Sequence, residues 1–319
     1  CGWGGTFSQP ILKELFKSKL DIVKIFSQGP HWDKLAKINP NFFKNYKDNV
    51  AESIFREGFE ELYEIFESAN SEYTIDFIQS NKIDYIFCIG FGEILKRKLI
   101  ESPSHGVINI HPGILPLNRG ADPIAPVALG KVKKAGVTIH YIDEGIDTGK
   151  IIMKEELKNF KNNSYVGLQS RLGILASFMI KNLTTQIKNL NSLIIPNPTQ
   201  QISKYFRKSD DEDRLFNFEM KSEKINCIIK AYSNTLNNAF FIFQNHRIFV
   251  QQCEVIEKNI NYKTSDIIDQ GLGYLIVATS NSAVLLSNLQ IKNYNSHKSK
   301  DLLNQLINKK IKSLKDGKI

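Results

Sequence analysis

The sequence predicts an α/β chain, with a Rossmann-like parallel sheet followed by a small β-rich domain of open-barrel character. Three observations carry that expectation. Ile83-Asp-Tyr-Ile-Phe-Cys-Ile89 is an almost unbroken apolar run, as in a strand buried on both faces of a parallel sheet, and it ends at Gly90-Phe-Gly92, where the backbone can turn sharply or approach a ligand closely. Up to residue 190, strand-like runs alternate with helical stripes. Beyond the Pro196 and Pro198 segment the pattern changes to short strand-like runs separated by turns. The expected organisation is a first domain over residues 1–190, a linker over 191–203 and a second domain over 204–319.

Taken in order, Gly2-Trp-Gly-Gly5 is a turn lacking the strand before it, so a few N-terminal residues are expected to be missing. Ser8-Gln-Pro10 then opens a helix through Phe16, with Ser8 as the candidate N-cap. Leu20–Phe26 reads as a strand, and 27–48 as irregular, with Trp32, Phe42, Phe43 and Tyr46 available to pack or to line a surface. Apolar residues from Val50 through Ile54, Phe55, Phe59, Leu62 and Tyr63 to Phe66 fall at helical spacing. Tyr73 to Gln79 continues helically. Val107 and Ile108 begin a strand; Ala125–Leu129 is a short helix; Gly136–Ile142 and Lys150–Met153 are strands. Ser164–Leu190 is a long helix with Leu168, Leu172, Leu175, Phe178, Met179 and Leu183 on its apolar side. In the second domain Met220–Ala231 is helical, and strands are expected at 239–243, 247–251, 274–279 and 284–289, before a basic amphipathic helix over 298–318.

Hydrophobic residues at 42% and charged residues at 24% are ordinary for a globular protein. No apolar run is long enough to cross a bilayer and no signal-peptide pattern is present, so the expected location is cytoplasmic, away from membranes. Cys1, Cys88, Cys227 and Cys253 show no CxxC spacing and are expected as separate reduced thiols. The net charge of +9 suits an anionic ligand, a nucleic acid or simply a Lys-rich composition. From Lys204 onward, 18 Lys+Arg stand against 12 Asp+Glu, a net +6.

The polar cluster at the end of the strand from Val107 carries the chemistry. Asn109 and His111 are two apart, so a strand projects both to one side, and Pro112 holds His111 extended. An amide and an imidazole there, with a carboxylate from the loop Asp143-Glu-Gly-Ile-Asp147-Thr-Gly149, suit a reaction in which a carbonyl becomes tetrahedral. Donors aimed at such an oxyanion are worth about 3 to 4 kcal/mol of barrier each. No Ser or Cys nucleophile is placed, so the acceptor itself must attack. His111 and His140 lack a third ligand at recognisable spacing, so no metal is expected. His140, within a strand, reads as a structural histidine or a substrate contact.

Asn109-Ile-His111-Pro-Gly-Ile-Leu115-Pro-Leu-Asn-Arg119-Gly120, then Gly136-Val-Thr-Ile-His140, then Asp143-Glu-Gly145-Ile146-Asp147-Thr-Gly149 resembles the 10-formyltetrahydrofolate-dependent formyltransferases. The resemblance covers about residues 1–190; more weakly, residues 204–292 look like the C-terminal β-barrel domain of methionyl-tRNA formyltransferases and some sugar formyltransferases. It implies that Asn109 and His111 stabilise the oxyanion and that Asp147 supports His111 and aids proton transfer. It implies a folate pocket walled by Ile89, Gly90, Phe91, Gly92, Ile94 and Leu95 with Asp143, Gly145 and Ile146, the pterin being held largely by backbone groups. Arg119, Gly120 and His140 fall on the acceptor side, Arg119 holding either an acceptor phosphate or the loop itself. The co-substrate implied is 10-formyltetrahydrofolate.

The methionyl-tRNA branch carries a small residue and Ser after the His, Ala-Pro-Ile-Gln after Arg-Gly, and a Gly-Arg-Gly-type basic loop. Here His111 precedes Pro-Gly, Arg119-Gly precedes Ala-Asp-Pro-Ile-Ala, and 27–48 lacks such a loop. The run from Thr138 to Gly149 looks like enzymes acting on nucleotide-linked amino sugars. The expected acceptor is therefore the amine of a nucleotide-linked amino sugar. Methionyl-tRNA is the alternative, with a non-enzymatic RNA-binding or interaction module as a remote one, and a homodimer is left open.

Overall fold

The structure is a computed structural model that describes residues 6–28, 54, 56–66, 68–160, 164–188, 190, 194–195, 204–233, 238–256, 261–271, 273–291 and 313–314. The chain forms two compact units. The first comprises Cys1–Ile124, Lys134–Phe160 and Gln169–Lys208, and the second Ala125–Lys133, Lys161–Leu168 and Ser209–Ile319.

Helix α1 (Ser8–Lys17) buries Ile11, Leu12 and Leu15 and ends on Lys17, whose charge suits the negative helix end. Phe7, not Ser8, takes the N-cap position, and no side chain caps it. Strand β1 (Ile25–Gln28) lies later than the apolar run from Leu20 suggests. The helical stripe expected through Phe66 is interrupted: Gly58 turns at φ +79, a short 3₁₀ turn covers Glu60–Leu62, and Tyr63–Phe66 forms strand β2, parallel to β1 with Ile25 opposite Tyr63. Tertiary pairing overrides helical spacing there. Helix α2 (Glu72–Ser80) starts where the Ser71 side chain accepts a hydrogen bond from the Thr74 N–H, a cap that satisfies an orphan donor.

Strand β3 (Ile86–Ile89), helix α3 (Arg97–Ile100), strand β4 (Val107–His111), strand β5 (Asn118–Gly120), the short helix α4 (Ala125–Ala128) of the second unit, strand β6 (Gly136–Tyr141) and strand β7 (Ile151–Glu156) follow. The sheet order is β3-β4-β6-β7. It is parallel between β3 and β4 but antiparallel from β4 to β6 and from β6 to β7, so the expected parallel sheet is a mixed one. Its strands are apolar on both faces near the site, with Val107, Ile108, Ile110, Val137 and Ile139 all buried. Helix α5 (Tyr165–Thr185) buries Leu168, Leu172, Ala176, Met179, Ile180 and Leu183, while Phe178, expected on the apolar side, is exposed. Of the expected linker only Ile194 and Ile195 are described, and Ile195 pairs antiparallel with Ile151. Strand β8 (Lys204–Phe206) then pairs parallel with β5.

The second unit begins with helix α6 (Asp211–Arg214), opened by a capping box of Asp210 and Asp213, and helix α7 (Ser222–Tyr232). Strands β9 (Ala239–Phe243), β10 (His246–Ile256), β11 (Ile267–Gly271), β12 (Tyr274–Ala278) and β13 (Ala283–Ile291) form one antiparallel sheet of order β11-β12-β13-β10-β9, with Leu215 bridging to Phe240 of β9. Its core contains an aromatic cluster: Phe216, Phe218 and Phe241 meet at centroid distances of 5.3 to 5.9 Å, in the same core as Ile225, Ile229 and Tyr232 of α7. The turn at Gly2–Gly5, nearly all of the aromatic segment 27–48 and the expected terminal helix, apart from Ser313 and Leu314, lie outside the described residues. Ser313 makes an antiparallel bridge to Asp266.

Candidate active site

The β4–β6 register sets Asn109 opposite His140 and His111 opposite Thr138. Directly opposed residues of an antiparallel pair point to the same side, so one face of the sheet presents an amide, two imidazoles and a hydroxyl together. Thr138, His111 and His140 are buried, whereas Asn109 is half-buried.

Each polar group on this face has an assignable partner. His111 Nε2 lies 2.6 Å from the Asn118 carbonyl, so it carries the proton and donates to that oxygen. Its Nδ1 faces Asp147 Oδ1 at 3.7 Å. The Thr138 hydroxyl donates to the Gly113 carbonyl at 2.7 Å and accepts from the Leu115 N–H at 3.1 Å, tying the loop after β4 to the sheet. Gly113 is required by closeness: a Cβ on it would sit 2.8 Å from His111 Nε2 and 2.9 Å from the Asn118 carbonyl. His140 Nδ1 lies 2.8 Å from the Tyr141 carbonyl, and its Nε2 is 3.2 Å from Asn109 Nδ2 and 3.6 Å from Asp147 Oδ1.

Asp147 reaches this face from the β6–β7 loop. Its backbone is left-handed, φ +53, a conformation Asp tolerates better than most residues. Its Oδ2 accepts the Gly120 N–H at 2.8 Å, and Arg119 Nε donates to the neighbouring Ile146 carbonyl at 2.7 Å. Asp143 Oδ1 accepts from the Gly145 N–H and the Thr148 hydroxyl, and a Cβ on Gly149 would lie 1.8 Å from the Tyr141 carbonyl. Arg119 and Gly120 thus hold the loop that carries Asp147, while Gly120, at φ +109, packs where a Cβ would meet the Phe206 carbonyl at 2.3 Å.

Burial pushes the Asp147 carboxyl up, but the charge of His111, the His140 ring 3.6 Å away and the Gly120 N–H together outweigh it and hold the group down at about 2. Burial lowers the His111 imidazole, against the pull of Asp147. At neutral pH the pair is therefore a carboxylate facing a neutral ring, with an unprotonated Nδ1 between them ready to take up a proton.

The loop after β3 comes close to the same region. Gly90 turns at φ +58, Phe91 and Leu95 pack in the cluster that Ile142 also joins, and Arg97 pairs with Glu144 of the Asp147 loop. Ile89 is buried, whereas Ile94 is 70% and Ile146 41% exposed. Glu93, unremarked in the sequence, anchors this loop. Its carboxylate accepts from the Ser68 hydroxyl, the Ala69 N–H and the Asn70 amide, which outweigh burial and hold its ionisation below the usual carboxylate range. No group of three His, Cys, Asp or Glu among the described residues is arranged to hold a metal ion.

Comparison with known proteins bears directly on this arrangement. The formyl transferase family model matches residues 3–180, more than half of the chain, and the model of the formyl transferase C-terminal domain matches residues 208–306. The chain belongs to the formyl transferase family. Among curated members, a methionyl-tRNA formyltransferase of Francisella tularensis subsp. mediasiatica is 27% identical over 93% of this chain and 91% of its own. One of Francisella philomiragia is 29% identical over 71% of each. Among solved structures, an N-formyltransferase from Helicobacter canadensis, in complex with folinic acid and dTDP-3-aminofucose, matches with a TM-score of 0.59 at 16% identity. That match covers 90% of this chain and 97% of the other, a likeness of fold.

Within this formyl transferase, the residues singled out by sequence divide clearly. Asn109, His111, His140 and Asp147 come together, but the His111 N–H is spent on the Asn118 carbonyl rather than left open. Asn118, Thr138, Gly113 and Gly149 shape the site and were given no role from sequence. Thr138 and Gly149 stood inside conspicuous runs, while nothing in the spacing marks Asn118, whose contribution is a backbone carbonyl.

Proposed function

We propose that the chain transfers the formyl group of 10-formyltetrahydrofolate to a primary amine, and that this amine is the α-amino group of methionyl-tRNA. The observation that carries the reaction is the convergence of the Asn109 amide with the His111–Asp147 pair on one face of β4 and β6. The neutral amine attacks the formyl carbon, and charge develops on the formyl oxygen, where the Asn109 N–H donates. The proton shed by the amine is taken up between His111 Nδ1 and the Asp147 carboxylate, and the tetrahydrofolate nitrogen leaves with a proton in its place. The exposed Ile94 and Ile146, on two loops joined by Arg97 and Glu144, suit a flat ring system that would cover them, flanked by the backbone groups of Gly90 and Gly145.

Methionyl-tRNA is favoured by the methionyl-tRNA formyltransferases that align over nearly the whole chain and by the net +6 from Lys204 onward. A second reading, the amine of a nucleotide-linked amino sugar, is supported by the Pro-Gly after His111 and the Ala-Asp-Pro-Ile-Ala after Gly120. Incubation with 10-formyltetrahydrofolate and, in parallel, charged initiator tRNA or a panel of nucleotide amino sugars separates them: formyl-methionyl-tRNA, formed with a steep salt dependence, is the expected product, and a formylated sugar alone selects the second reading. Asp147→Asn is expected to lower kcat at least a hundredfold; a change within threefold would sink the mechanism.

A further inference from the structure

His140 sits beside the reacting groups without an obvious task, and both of its ring nitrogens are committed. Nδ1 faces a carbonyl at 2.8 Å and so bears the proton. In the neutral ring Nε2 is then a lone pair, and the Asn109 amide nitrogen 3.2 Å away donates to it. Turning that carboxamide over would set its carbonyl oxygen against the lone pair, replacing a hydrogen bond by a repulsion. The amide nitrogen has two hydrogens. With one on His140, the second is left for a group bound in front of the half-buried Asn109. The ring cannot relax to the other tautomer without losing the Tyr141 carbonyl, and that carbonyl is fixed by the close approach of Gly149. Asp147 Oδ1 lies 3.6 Å from the same Nε2, beyond hydrogen-bond distance.

We infer that His140 is a positioning residue for Asn109: its Nε2 lone pair locks the carboxamide with an N–H, and not the C=O, toward the formyl oxygen. The inference rests on the formyl-transfer reading of the site, and it gives His140 a role in place of acceptor binding. Arg119 and Asp147 contribute to the same end indirectly, by holding the loop whose Gly149 braces the Tyr141 carbonyl.

Three measurements on the full chain test it. His140→Leu keeps bulk but offers no acceptor, whereas His140→Gln offers a side-chain carbonyl to the same amide. With the amine that the unaltered protein formylates, the Leu variant is expected to lose about tenfold or more in kcat with KM for 10-formyltetrahydrofolate within about twofold, and the Gln variant to recover most of that loss. Equal rates in the two variants, or a loss confined to KM, overturn the inference. Independently of turnover, ¹⁵N NMR of the unaltered protein is expected to show a protonated Nδ1 and a bare Nε2 on His140, with a coupling across the hydrogen bond to the Asn109 amide. A protonated Nε2 at neutral pH overturns the inference even if the variants fail to fold. If the unaltered protein formylates no amine, the reaction proposed above fails, while the NMR result still decides the role of His140.

Discussion

Asp147 places a charge on a left-handed backbone among two imidazoles, and that charge has consequences for stability. Its folded ionisation is depressed from 3.8 to about 2, so the stabilisation it brings is complete above about pH 4 and is lost as the pH falls through 2. The shift corresponds to about 2 kcal/mol. His111 adds in the same sense: burial lowers its ionisation from 6.5, so its contribution is present above that value and declines as the pH drops below it. Urea unfolding at stepped pH is expected to show Asp147→Asn losing the component between pH 4 and 2 while retaining the decline that starts near 6.5. Asn is the right probe because it also tolerates a positive φ. Gly113 offers a second test at this scale. The methyl group of Gly113→Ala has no room beside His111 Nε2 and the Asn118 carbonyl, so it is expected to part that hydrogen bond, lowering kcat more than tenfold and stability by about 1 to 3 kcal/mol in thermal unfolding.

At the scale of elements, Thr138 couples β6 to the loop after β4 through one hydroxyl that donates and accepts. Thr138→Val preserves shape but strands a buried N–H and C=O, and chemical denaturation is expected to register a loss of about 1 to 3 kcal/mol. The strands of this region were legible because their apolar runs are long and bounded by glycine or proline, and Asn109 and His111 were legible because an i, i+2 pair needs only a strand to converge. Asp147 is different: it sits on a loop that only the β4–β6–β7 pairing brings back, and the resemblance of motifs, not spacing, singled it out. Residues 59, 62, 63 and 66 misled because apolar spacing of three and four is shared by a helix and by a 3₁₀ turn running into a short strand. Strand β11 escaped notice because Ile267-Ile-Asp-Gln-Gly271 has neither alternation nor an apolar run. The antiparallel direction of β6 was hidden for another reason: direction is a property of pairing, and no local pattern encodes it.

For the molecule as a whole, two compact units with separate cores predict separable unfolding. Phe241 is buried in the aromatic cluster of the second unit, and Phe241→Ala is expected to cost about 3 to 5 kcal/mol there. Calorimetry is expected to show one transition moving down by several degrees while the other holds its position; a common shift of a single transition would mean that the units unfold as one. The pairing of β4 with β6 has a further consequence, for the tolerance of the chain to insertions and deletions. The amide, both rings and the hydroxyl share a face only because Asn109 meets His140 and His111 meets Thr138. Adding or removing one residue inside β6 would swing Thr138 and His140 to the opposite face, where Val137 and Ile139 now lie in the core. Length variation among descendants of this sequence is therefore expected to collect in the turns and to spare the six residues from Gly136 to Tyr141, a constraint on spacing as strict as any on residue identity.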